Sequence, residues 1–166
     1  MAELLNYPIL ILLLVIQTAI LRHLPFLGGA ADLMLLWLIA WSLHRQGKRV
    51  WIGAAVATLL MAFVSAMPWY VFFGSYGFVC LAGRFLSKRF WQNPLIALFF
   101  VTFFGSIFQG ALSFAALYVG GSALSWTTSV RNVIIPSVFL NMLFTLPMYA
   151  IFNDMASWVY PYEEKE

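Results

Sequence analysis

Residues 32–45 read DLMLLWLIAWSLHR, and whether this stretch crosses a membrane decides the fold. As an α-helix, Asp32 to His44 extends about 20 Å, roughly 10 Å less than the hydrocarbon core of a bilayer. Every face of Leu33–Leu43 is apolar. That predicts a spanning helix, helped by local thinning and by snorkelling of His44 and Arg45. A re-entrant segment is the alternative. The first reading gives six transmembrane helices and the second gives five.

The rest of the chain sets this stretch in a membrane. Of 166 residues, 63% are hydrophobic and 9% charged, against about 25% charged in a soluble domain. So few charges could not cover a water-facing surface, which excludes a soluble enzyme. Disorder is excluded too, because disordered chains are polar and charge-rich.

The gaps between charges place the other helices. Glu3 to Arg22 encloses 18 uncharged positions and Arg131 to Asp154 encloses 22, one helix each. Arg49 to Arg84 encloses 34 and carries Met67-Pro68-Trp69 near its middle. Proline breaks a helix there, so the gap reads as a hairpin, 50–67 and 69–86. Arg89 to Arg131 encloses 41. It holds a long helix, 95–119, then Gly120-Gly121-Ser122, and a polar loop over Ser125–Asn132. The expected architecture is a single all-α integral membrane domain with helices near 4–21, 32–44, 50–67, 69–86, 95–119 and 133–152. A short tail follows at 153–166, an aromatic belt from Trp158 to Tyr162 with an acidic end.

With six helices, Arg45, Lys48, Arg49, Arg84, Lys88, Arg89 and Lys165 share one side, and Arg22 and Arg131 the other. Seven against two places both termini in the cytoplasm. Five helices would give eight against one, with the same two basic loops inside. No removable signal peptide is expected. Cys80 reads as a small packing residue. No repeat or low-complexity tract is present.

No ionisable residue falls in the middle of a predicted helix. Proton pumps and ion-coupled transporters use buried acids or bases, so these classes are disfavoured. His23 and His44 fall on opposite sides, and neither HExxH nor a pair of aspartates occurs. No catalytic, cofactor or metal residues are therefore expected, and no enzyme. Asp32 reads as a helix N-cap beside a solvated His23. Gly28-Gly29 lacks the spacing of a phosphate loop. The basic loops are what membrane topology already requires, so nucleic-acid binding is unsupported.

Small and polar residues recur at helical spacing. Thr102, Ser106, Gln109 and Ser113 lie on one face, continued by Ala116 and Gly120. Ser137, Asn141 and Thr145 form a second stripe, and Gln17 and Thr18 close the first helix. The third helix carries Ala54, Thr58 and Ser65, and the fourth Gly74 and Gly77. Such stripes read first as internal helix packing; a partner helix or a small-molecule cavity are the alternatives. Pro136 and Pro147 kink the last helix. The basic surface Arg45, Lys48, Arg49, Arg84, Lys88 and Arg89, flanked by aromatics, suits anionic lipid.

The order of these features resembles the rod shape-determining membrane protein family MreD. It rests on Gln17-Thr18, then Gly28-Gly29-Ala30-Ala31-Asp32-Leu33, then Gly74-Ser75-Tyr76-Gly77, then Pro136-Ser137, Asn141 and Pro147. The chain departs from the family's pattern at Ala31, where Pro commonly precedes the Asp. Ala62–Met67 also lacks the expected Gly-Leu and acidic residue. The resemblance implies a non-enzymatic scaffold of the bacterial cell-elongation complex in the inner membrane. MreD-like proteins bind MreC, a bitopic partner, and connect cytoplasmic MreB to a SEDS glycosyltransferase and a penicillin-binding protein. The family's fold also looks like the substrate-binding subunit of energy-coupling-factor vitamin transporters. That keeps a ligand-binding alternative open, with Trp69, Tyr70, Tyr118 and Trp126 near the outer ends.

Overall fold

The computed structural model describes residues 6–19, 29–44, 49–89, 93–122 and 125–159. These residues form helices and no strands. They are α1 (Asn6–Ala19), α2 (Leu33–Leu43), α3 (Val50–Val64), α4 (Trp69–Arg89), α5 (Pro94–Val119) and α6. α6 is continuous but built of three pieces: an α-helical turn Trp126–Ser129, a π-helical turn Val130–Ile134 and an α-helix Ile135–Val159. Three helices, α4, α5 and α6, are long and apolar enough to cross a membrane. α1, α2 and α3 are apolar but shorter.

The stretch that decides the fold is the centre of the bundle. All eleven residues of α2 are buried, and α2 packs against each of the other five helices. The outer helices follow one another around it in the order α1, α3, α4, α5, α6. This explains why LMLLWLIAWSL has no polar face: every face meets protein. It also removes the length problem, because a helix sheathed by its neighbours need not match the bilayer.

The ends of the other helices follow local chemistry. Ser65 closes α3, its N–H bonding Met61 O at 2.8 Å and its Oγ accepting from Met67 N at 3.2 Å. Pro94 opens α5 at the first helical position, where its missing N–H costs nothing. Gly121, at φ 86°, ends it in the left-handed region that glycine tolerates.

Four expected boundaries shift by three residues or more. α3 ends at Val64 rather than 67, closed by Ser65. α4 runs to Arg89 rather than 86, its last turn carrying Lys88 and Arg89, cations that favour a helix C-terminus. The loop expected over Ser125–Asn132 is helical from Trp126 onward. The last helix continues to Val159 rather than 152, because Phe152 and Ala156 pack inward. Phe152 meets the rings of Trp37 and His44 edge-on, at 5.0 and 5.7 Å. The remainder of the tail, 160–166, lies outside the described residues.

The exterior is apolar. Large side chains such as Ile11, Leu59, Phe63, Phe73, Leu81, Phe85, Phe100 and Phe139 are exposed, a surface that a hydrocarbon solvent covers and water does not. In such a solvent, helices associate through close packing at small residues. A methyl group added at Gly53 would overlap the Trp41 ring, and one at Gly83 would overlap the Ser42 side chain. At Gly105 it would lie 2.5 Å from Val79 Cγ1.

In a helix Ala is favoured over Gly by about 1 kcal/mol, while overpacking costs about 1–3 kcal/mol. Gly53→Ala and Gly83→Ala are therefore expected to lower the thermal unfolding midpoint in detergent, followed by tryptophan fluorescence. Gly77→Ala, which meets nothing within 4 Å, is expected to leave it unchanged or raise it.

Candidate functional site

Polar side chains from five helices converge where α2 begins. Any α-helix leaves its first amide hydrogens without intrahelical partners. α2 starts inside the bundle, so those groups must find protein acceptors. Asp32 is the N-cap and its Oδ1 accepts from Leu35 N at 3.0 Å. Gln17 of α1 reaches across, its Oε1 accepting from Leu33 N at 3.1 Å and Met34 N at 3.4 Å. Leu36 N makes the first intrahelical bond, to Asp32 O at 3.1 Å. All four leading amides are thus accounted for.

The cap is itself held. Asp32 N donates to Asn141 Oδ1 of α6 at 2.8 Å. Asn141 Nδ2 donates in turn to Ser106 Oγ of α5 at 2.9 Å. Two residues earlier, Ala30 N donates to Ser137 Oγ at 3.1 Å. The second carboxylate oxygen of Asp32 accepts from the Tyr76 hydroxyl of α4 at 2.9 Å and from Gln109 Nε2 of α5 at 2.6 Å. Thr145 donates to Asn141 O.

Asp32 stands at a helix end, as expected, but it is buried, so the bundle does enclose an acid. It is the expected N-cap, but an enclosed one. Charge spacing misplaced it because that reasoning treats each charge as a membrane boundary. The outer helices extend past the start of α2, so the boundary of α2 falls in the interior. Among the described residues no cation touches the carboxylate. Its partners are three donors: the Leu35 amide, the tyrosine hydroxyl and the glutamine amide. The positive end of the α2 dipole adds to them. His23 lies outside the described residues.

No family model, curated protein or solved structure matches this chain. The site is therefore read from its own geometry.

Of the stripe on α5, Ser106 and Gln109 face this node. Thr102 is buried, its hydroxyl without a partner among the described residues, and Ser113 is half-buried. On α6, Ser137 and Asn141 take part, while Thr145, though buried, bonds its own helix at Asn141 O. On α1, Gln17 takes part while Thr18 bonds its own helix at Leu14 O, 2.8 Å. Tyr76 was not singled out from sequence. Its signal is the Gly74-Ser75-Tyr76-Gly77 run, where a hydroxyl-bearing ring is set among small residues. Trp69, Tyr70, Tyr118 and Trp126 are all exposed, Trp69 against Tyr70 and Phe73, and Trp126 against Phe114. Of the basic surface, Arg49, Lys88 and Arg89 are exposed and Arg84 is half-buried, while Arg45 and Lys48 lie outside the described residues.

The node's groups bond one another, so the arrangement works as a junction of helices. Removing the carboxylate strands the buried Leu35 amide and Tyr76 hydroxyl, each costing about 1–3 kcal/mol, and the half-buried Gln109 amide. Asp32→Leu is expected to destabilise the bundle more than Tyr76→Phe, which removes one bond to a charged group, worth about 1.5–3 kcal/mol. Added to Asp32→Leu, Tyr76→Phe should cost nothing further, because its acceptor is already gone. Unfolding midpoints of the two single variants and the double variant test this; additive losses would show that the pair does not interact.

Proposed function

We propose that this chain is a non-enzymatic scaffold of the bacterial cell-elongation machinery, of the MreD type, and that its direct partner is the bitopic protein MreC. One observation carries the reading. The residues on which the resemblance rests are scattered from Gln17 to Pro147, and of them Gln17, Ala30, Asp32, Leu33, Tyr76, Ser137 and Asn141 come together at one place. Gln17 meets Leu33, Asp32 meets Tyr76 and Asn141, and Ala30 meets Ser137. An ordered set of weak motifs that converges on one junction is what a shared bundle architecture requires.

The chemistry of the junction supports a binding role over catalysis. Both carboxylate oxygens of Asp32 are engaged with helix-holding donors, and Ser106 and Gln109 are turned inward. What remains for a partner helix is the exposed apolar surface.

In this reading the protein lies in the inner membrane with both termini cytoplasmic, since the Lys and Arg excess marks the inner side. Through MreC it would connect MreB to a SEDS glycosyltransferase and a penicillin-binding protein.

The test uses the full chain, tagged and solubilised from the membranes of a rod-shaped host. MreC is expected to co-purify with it, and depletion of the chain is expected to turn rods into spheres. A depleted strain that keeps its rod shape, with no MreC recovered, overturns the reading.

A further inference from the structure

The basic end of α4 is more than a topology signal. Lys88 and Arg89 are exposed, and neither meets an acidic side chain among the described residues. Apart from Asp32 at the far end of α2, helices α2, α3 and α4 carry no Asp or Glu.

Positions 77, 81, 85 and 88 follow at steps of four, four and three, and so share one face of the helix. Along that face Phe85 is 72% exposed and Leu81 60%. Below them Gly77 leaves open space, where an added methyl would meet nothing within 4 Å. The face thus runs from cations, over two exposed apolar side chains, to the open, side-chain-free surface at Gly77.

Its length is informative. From Gly77 to Lys88 the helix rises about 16 Å. One leaflet of a 30 Å hydrocarbon core is about 15 Å deep. A phospholipid has this same profile, with a phosphate at one end and acyl chains one leaflet long.

We propose that this face of α4 is a binding site for an anionic phospholipid. The phosphate lies against Lys88 and Arg89, and an acyl chain runs over Phe85 and Leu81 to end in the open space at Gly77. The site requires α4 to cross the membrane and does not depend on the scaffold reading.

The test reconstitutes the full chain in phosphatidylcholine vesicles containing a minor fraction of phosphatidylglycerol. The lipids that stay bound are then weighed by native mass spectrometry. Phosphatidylglycerol is expected to be enriched over its bulk share, with enrichment falling about fivefold for each cation lost. Lys88→Gln combined with Arg89→Gln should abolish it. Gly77→Leu fills the open space there and keeps every charge, and it should reduce retention. Phe85→Ala, at an exposed position outside the packed core, is a second probe of the acyl path. A wild-type chain with lipids at the bulk ratio overturns the proposal. So does enrichment that survives the loss of both cations, or that survives both Gly77→Leu and Phe85→Ala.

Discussion

A helix that begins inside a bundle brings with it amide hydrogens that its own backbone cannot bond, and this constraint organises the molecule. α2 is eleven residues long and wholly enclosed. An unpaired amide in such surroundings costs several kcal/mol. Asp32 and Gln17 remove that cost at Leu33, Met34 and Leu35. The side chains that position Asp32 come from α4, α5 and α6. Local capping and global assembly are therefore the same set of bonds.

The choice of an aspartate follows from the number of donors. A serine or asparagine cap offers fewer acceptor sites than a carboxylate, which accepts at both oxygens. Here one oxygen serves the α2 backbone and the other serves two neighbouring helices. An enclosed carboxylate is expensive in isolation. Three donors and the helix dipole offset that expense, and they fix the register of α4 and α5 against α2.

Much of this was legible beforehand. Helical class, the hairpin at Met67-Pro68-Trp69, the long α5 and the polar stripes all come from charge spacing and periodicity. The stripes also pointed to residues that meet: Gln17, Ser106, Gln109, Ser137 and Asn141. Enclosure was not legible. A stretch apolar on every face is consistent with a lipid-facing span and with a core helix, and periodicity does not separate them. That ambiguity hid the burial of Asp32 and with it the role of Tyr76. The helical start at Trp126 was missed for another reason. Ser125–Asn132 is polar and follows two glycines, yet it forms the first turn of α6, and a π-helical turn joins that to the rest of the helix.

The bond between Asp32 and Asn141 joins positions 109 residues apart. During synthesis α2 therefore leaves the ribosome long before the partner that steadies its first turn. Until α6 arrives, the centre of the protein is surrounded on one flank only by lipid or by insertion machinery. The interior is closed by α6, the last of the described helices, so the nascent chain holds an unfinished core from the emergence of α2 until that of α6.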